Sequence, residues 1–273
     1  MSAEDNPLVS HTRGHSLYLT MNRPAKKNAI SNAMLDALDE ALTGAQRDEE
    51  VRAIVLTGAG PVFSSGRDIK EFSRESGLQD QSLDSDQEAF ATVITRLSNM
   101  PKPTIAAVRG YAFGGAQALS LACDFVVAED SAKFGNVEMA FGFPAAMNTV
   151  LLARHVGRRM GLEIAMTGEP YTAQRFFELG LVNRLAADGQ LDSVVEAFVD
   201  LLNSRAPWAV ARTKSTFRAA EEMTLSGALH TGTQLNQLLM LSSQTTSVHS
   251  NSTAHATKAQ PVDDMLGDKP ENK

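Results

Sequence analysis

An α/β fold with parallel strand pairs is what this sequence predicts, and three observations predict it. Short, continuous apolar runs at Ala53–Thr57, Thr104–Val108 and Phe125–Ala128 read as strands buried on both faces. Between them lie segments whose apolar residues recur at helical spacing. The connections are short and marked by Gly and Pro, as βαβ units require.

Each element follows in order. His15–Thr20 alternates, with Leu17 and Leu19 on one face, and reads as a short strand ended by Pro24. Ser31 is placed as an N-cap, and Leu35, Leu38, Ala41, Leu42 and Ala45 follow at helical spacing. Ala53–Thr57 closes on Gly58-Ala59-Gly60-Pro61, and FSSGRDIK (63–70) is a glycine-bearing loop. Residues 71–85 are polar without periodicity and read as an excursion. Phe90, Val93, Ile94 and Leu97 predict a helix stopped by Pro101 and Pro103. After the Thr104 strand comes Gly110–Gly115, then a small-residue helix over Ala116–Ala122 and the Phe125 strand. Beyond Gly157 strands become scarce. Thr172 caps a short helix through Phe176 and Leu179; a longer helix spans Asp192–Asn203, and Pro207–Leu241 is mostly helix-compatible. Ser242–Ala259 carries few large hydrophobes, too few to offset an ordering cost of about 1–2 kcal/mol per residue, and reads as a loose tail.

Composition narrows the function classes. The chain has 273 residues, 25 Lys and Arg against 32 Asp and Glu, and a net charge of −7. Nucleic acid and anionic membrane surfaces need a basic face, so neither is expected as a partner. A single cysteine, Cys123, leaves no internal disulfide or cysteine-based zinc site and fits a reducing compartment. Met1–Arg13 is polar with Glu4 and Asp5, unlike a secretory signal, and no apolar run is long enough to span a bilayer. A cytoplasmic enzyme or binding domain is the expectation.

Chemistry is expected where glycine turns end parallel strands, because ligands collect at the carboxyl ends of such strands. Two candidates are Ser64-Ser65-Gly66-Arg67-Asp68 and Gly114-Gly115, the latter opening a helix. Backbone N–H groups at such turns are donors to a negative oxygen, and two converging on one point would make an oxyanion hole. Read on their own, strand-end glycines are more often plain turns.

The spacing of the motifs adds a resemblance. FSSGRDIK, GYAFGGAQALSLACD and FGNVEMAFGFP, in that order, resemble the crotonase superfamily, the enoyl-CoA hydratase/isomerase family. NRPAKKNAIS, AIVLTGAGPVFSSGRDI and TGEPYTAQRFFELGLVNRL are similar to it as well, so the likeness runs from about Leu17 to Trp208. It implies a crotonase-like ββα spiral core with a CoA thioester site over residues 1–205. A C-terminal helical oligomerisation region at 206–242 and a loose polar tail at 243–273 would follow. It implies that Arg67 and Gly115 donate their backbone N–H groups to the thioester carbonyl. Lys70 would approach the CoA phosphates, and the loop around Lys26, Lys27 and Ala29 would wrap the adenosine end. Ser65, Asp68 and Ile69 complete the expected CoA-binding set. Coenzyme A enters as part of the substrate; no permanently bound cofactor, no metal, and a homotrimer or dimer of trimers are implied.

The sequence departs from the two-carboxylate hydratases of this family at one position. They carry a glutamate three residues after the second glycine of the GG pair, where this chain has Ala118. The other glutamate is retained as Glu138. A methyl group neither holds nor deprotonates water, whereas one carboxylate suffices to take a proton from one carbon and return it two carbons away. Glu138 is therefore the expected general acid/base, with a pKa raised by an apolar pocket. The leading expectation is 3-enoyl to 2-enoyl isomerisation; hydration, or hydratase-lyase chemistry on feruloyl-type thioesters, stays open. A thioester or carbon–carbon hydrolase and a non-catalytic acyl-CoA binder are the alternatives of other classes. Phe141, Phe143 and Met147, in a segment that replaces the usual glycine-rich turn, suggest an apolar acyl group. No contact to CoA is expected from the tail, which lacks the family's acidic-aromatic finish.

Other residues read as structural. Cys123 is a small buried hydrophobe, and Asp68 and Asp124 bond nearby N–H groups. Ser64 and Ser65 lack a GxSxG elbow, and Gly58-Ala59-Gly60 is not a dinucleotide fingerprint. His155 lies on a basic helical patch, and His249 and His255 have no metal or catalytic role.

Overall fold

The computed structural model describes residues 6–68, 71 and 82–241 and divides the chain into two units, Met1–Arg212 and Thr213–Lys273. The first unit is built on a six-stranded sheet. β1 (Leu8–Arg13) and β2 (Ser16–Met21) form an antiparallel pair, and a 3-10 turn at Pro24–Lys26 follows. α1 (Asn32–Arg47) starts at Ser31, whose hydroxyl accepts from the Met34 N–H at 3.2 Å, as its N-cap position requires. Its apolar stripe buries Met34, Leu35, Leu38, Leu42 and Ala45, with Ala41 half-buried.

β3 (Ala53–Gly58) is followed by α2 (Ser82–Asn99), β4 (Thr104–Val108), β5 (Tyr111–Phe113), α3 (Gly115–Ala122), β6 (Phe125–Glu129) and β7 (Lys133–Gly135). Next come a 3-10 turn at Val137–Phe141, α4 (Ala146–His155), α5 (Arg158–Thr167), β8 (Tyr171–Thr172), α6 (Ala173–Glu178), β9 (Arg184–Ala186) and α7 (Leu191–Asn203). The large sheet runs β1-β2-β3-β4-β6-β9, and every pair after the first is parallel. A small sheet, β5-β7-β8, holds β5 and β7 parallel.

The continuous apolar runs are explained by cover on both faces. Ile54, Leu56, Ala106, Val108 and Val126 face a core shared with α1, α2 and α3. Ala53, Val55, Ile105, Ala107 and Val127 alternate to the other face, where Leu191, Val195, Phe198 and Val199 of α7 cover them. Thr104 is tied to the start of β6 by Asp124, whose Oδ2 accepts from the Thr104 N–H at 2.8 Å. Arg96 of α2 forks onto Asp39 of α1 at 2.5 and 3.2 Å.

Five strands, β1, β5, β7, β8 and β9, are absent from the sequence reading, and the last four are only two or three residues long. β1 is polar, with only Leu8 buried, and is strand because its backbone pairs with β2. β5 is three residues long and exists because Ser64 and Lys133 lie on either side of it. The polar stretch also ends earlier than expected: residues 82–85 are the first turn of α2, and residues 72–81 lie outside the described residues. The expected loose tail lies outside them too.

In the second unit, the end of α8 (Pro207–Glu221) and α9 (Leu225–Leu241) are helical, so the division falls inside α8. Phe217, Leu225, Leu229, Leu238 and Met240 are exposed in the single chain. Among the described residues no helix is long and apolar enough to cross a membrane.

Ser31→Ala removes the α1 cap and is expected to lower stability by about 1 kcal/mol, read as a reduced urea midpoint at unchanged m-value.

Candidate active site

Two backbone segments meet at the carboxyl ends of β3 and β4. The 64–68 loop pairs on one side with Ala112 of β5, through Ser64, and on the other with Ile30, through Arg67. The Ile30 bridge uses the Gly66 carbonyl, which accepts from Ile30 at 2.8 Å, and the Asp68 N–H, which donates to Ile30 at 3.0 Å. In such a bridge the N–H of the central residue points to the opposite side, so the Arg67 N–H faces away from Ile30. On that side lies the Gly114–Gly115 turn. A Cβ on Gly66 would stand 2.7 Å from the Phe113 carbonyl and 3.3 Å from the Gly115 nitrogen. A Cβ on Gly115 would stand 3.4 Å from the Arg67 nitrogen. The loops touch backbone to backbone, which only glycine allows. Gly115 opens α3, so its N–H is one of the donors that a helix start leaves without an intrahelical acceptor.

Glu138 enters from the 3-10 turn after β7. A Cβ on Gly114, which sits at φ +52°, would come within 2.9 Å of the Glu138 Oε2. That oxygen is buried with no hydrogen-bond partner among the described residues. Burial raises the Glu138 pKa above its ordinary value; its own backbone N–H and the Asn148 amide offset the shift only in part. Ala118, one turn along α3, is completely buried. The structure therefore brings Arg67, Gly115 and Glu138 together: two adjacent backbone nitrogens and a carboxylate biased toward protonation. Such a set holds charge on an oxygen while a proton moves beside it.

Of the remaining expected CoA-binding residues, those described pack about the 64–68 loop. The Arg67 guanidinium leaves the turn, with Nη2 donating to Asn32 Oδ1 at 2.9 Å and Cζ 5.6 Å from the Phe90 ring centroid. Lys26 and Lys27 are exposed, Ala29 and Ser65 half-buried, and the Ser65 N–H donates to the Lys27 carbonyl at 3.0 Å. Lys27 and Asn28 sit at φ +52° and +53°. Asn28 is held there by its side chain, which accepts from Arg23 N–H and donates to the Ala59 and Val62 carbonyls. Asp68 faces Arg23 at 2.9 Å in a nearly buried ion pair. Its carboxylate thus ties the 64–68 loop to the segment before α1. Ile69 and Lys70 lie outside the described residues. Phe141 and Phe143 are exposed, and Met147 packs half-buried against the core.

Sequence reasoning missed Gly114 as the residue that admits Glu138, and Asn148 as its neighbour. A lone Asn among the apolar residues of AMNTVLL was the available signal for the second. An open groove of about 550 Å³ between α1 and α2, lined by Gln46, Thr92, Arg96 and Asn99 among others, contains none of the site residues.

Fold and site together define a class, the crotonase-fold proteins. The enoyl-CoA hydratase structure from Mycobacterium smegmatis superimposes with a TM-score of 0.85 at 32% identity, covering 93% of this chain and 98% of that one. One from Polaromonas sp. JS666 gives 0.86 at 31% identity over 93% and 98%. The sequence model described as Enoyl-CoA hydratase/isomerase matches residues 12–262. The 2,3-dehydroadipyl-CoA hydratase of Escherichia coli is 34% identical over 258 residues, 93% of this chain and 97% of that protein. The chain belongs to the enoyl-CoA hydratase/isomerase family, whose members act on CoA thioesters.

Two substitutions test the geometry. Gly114→Ala puts a methyl group against Glu138 at an unfavourable φ and is expected to lower turnover of an enoyl-CoA about 100-fold, read in steady-state assays. Asp68→Ala leaves Arg23 as an uncompensated, nearly buried charge and is expected to cost about 3–5 kcal/mol in denaturant unfolding.

Proposed function

We propose that this acyl-CoA enzyme moves a double bond, converting a 3-enoyl-CoA to a 2-enoyl-CoA. The N–H groups of Arg67 and Gly115 donate to the thioester oxygen and make the C2 proton acidic. The ionised Glu138 takes that proton, the enolate negative charge is held on the oxygen, and the protonated Glu138 returns the proton at C4. The C3–C4 double bond becomes C2–C3, and no atom is gained or lost. The observation that carries this reading is one half-buried carboxylate, its Oε2 buried, at the paired N–H groups, with a methyl group at position 118 where a second acid would stand. Lys26, Ala29, Ser65 and Asp68 form the CoA-binding rim in this reading, Asp68 by holding the loops, and Ile69 and Lys70 are assigned to CoA by the family resemblance alone. CoA arrives with the substrate, and the acyl end meets Phe141, Phe143 and Met147.

A second reading, hydration of a 2-enoyl-CoA, is favoured by the names of the relatives, among them the 2,3-dehydroadipyl-CoA hydratase of E. coli and the mitochondrial enoyl-CoA hydratase of Pongo abelii, 34% identical over 209 residues. There Glu138 would have to serve both the water and the α-carbon.

A product assay with 2-enoyl- and 3-enoyl-CoA panels of several chain lengths separates the two. The 3-enoyl substrates are expected to yield 2-enoyl-CoA, and Glu138→Gln to lower kcat about 100- to 10,000-fold. Formation of 3-hydroxyacyl-CoA as the main product from 2-enoyl-CoA would replace the first reading by the second; release of free CoA would replace both. Because the first step needs ionised Glu138 and burial raises its pKa, activity is expected to fall with decreasing pH above the ordinary glutamate range. A kcat/KM profile over pH 4–8 locates that limb.

A further inference from the structure

A buried chain of side-chain amides stands behind the two glycines and Glu138. Asn148, in the first turn of α4, donates from Nδ2 to the Gly114 carbonyl at 2.9 Å and accepts at Oδ1 from Gln117 Nε2 at 3.3 Å. Gln117 Nε2 also reaches Asn136 Oδ1 at 3.3 Å, and Asn136 Nδ2 donates to the Ile164 carbonyl at 3.1 Å. All three residues are at most 2% exposed. Both ends of the chain are backbone carbonyls, which only accept, so the direction of every amide in it is fixed.

The Gly114 carbonyl belongs to the same peptide unit as the Gly115 N–H. That unit is held beyond its helix bond: the Gly114 carbonyl accepts from the Ala118 N–H at 3.2 Å and from Asn148, and the preceding peptide unit is fixed by the Gly114 N–H, which donates to the Gly135 carbonyl at 2.8 Å. A donor on a peptide carbonyl orients the unit and polarises its N–H, making it a stronger donor in turn. The same Asn148 amide neighbours the Glu138 carboxylate and favours its ionised form. We infer that Asn148 is a positioning residue that couples the Gly115 N–H to Glu138, so that the oxyanion donor and the proton carrier are set by one side chain. Gln117 and Asn136 hold it in register from α3 and from the end of β7.

The inference rests on the enolate reading above and deepens it. An ordinary buried Asn would stabilise the fold and leave catalysis per folded molecule unchanged. A coupling residue changes three other quantities. Asn148→Ala is expected to lower kcat about 10- to 100-fold with KM changed less than about threefold, since it weakens an oxyanion donor without removing it. The acidic limb of the pH profile should move to higher pH, because the group that favours ionised Glu138 is gone. The thioester carbonyl stretch of bound, ¹³C-labelled butanoyl-CoA, an unreactive probe, should lose part of its shift relative to free ligand. Asn148→Asp preserves shape, cannot donate once ionised, and adds a like charge beside Glu138. Its loss of kcat and its upward limb shift should exceed those of the alanine variant, and its shape guards against a simple folding failure.

Folded variants with wild-type limb and carbonyl band would overturn the proposal, whatever their melting temperatures. Wild-type protein that binds the probe with a shifted band, lost in Asn148→Ala, yet turns over no enoyl-CoA would leave Asn148 in its role and remove the isomerase reading. A wild-type carbonyl band identical to free ligand would overturn both.

Discussion

The whole site depends on one close approach, that of the Gly66 peptide to the Phe113–Gly115 backbone. Neither loop makes the site alone. The 64–68 loop contributes an N–H because its bridge to Ile30 engages the flanking groups and turns the central one outward. The Gly114–Gly115 turn contributes the other because a helix start leaves its first donors unsatisfied. A single methyl group on Gly66 would meet the Phe113 carbonyl at 2.7 Å and push the two apart. Everything that sets the heights of these loops, from the parallel β3-β4 pairing to the Arg23–Asp68 ion pair, serves that contact.

Glu138 shows the opposite economy. A buried Oε2 with no hydrogen-bond partner among the described residues is a poor choice for stability, since the ionised form loses water and gains little. It suits the proposed proton transfer, because a carboxylate whose pKa is raised by burial holds and returns a proton more readily than an exposed one. The amide chain behind it moderates the shift without cancelling it, and α3, α4 and α5 are joined through that chain.

Much of the frame was legible. The runs AIVLT, TIAAV and FVVA could only be strands covered on both sides, and the Ser31 and Thr172 caps marked helix starts because their hydroxyls replace missing backbone partners. β1 was not legible, because an edge strand with one buried residue has no hydrophobic alternation to read. β5 was not, because three residues carry no period. Asp68 was placed with the CoA-binding residues, and the structure shows its carboxylate engaged by Arg23, a partner 45 positions earlier (68 − 23) that no local pattern signals.

By itself, the sequence determined the α/β layering, the family motifs, and the presence of one glutamate and one alanine at the two positions where the resemblance expects acids. These are local facts: hydrophobic period, glycine at forced turns, residue identity at a motif position. The resemblance implied that the Arg67 and Gly115 donors pair; tertiary structure alone decided how closely those backbones approach, how far Glu138 is withdrawn from water, and that Asn148 stands behind both. Those depend on distances between segments far apart in the chain, set by packing of the sheet against its helices. A hydrophobic period carries no information about such distances, and a motif names the partners without setting them.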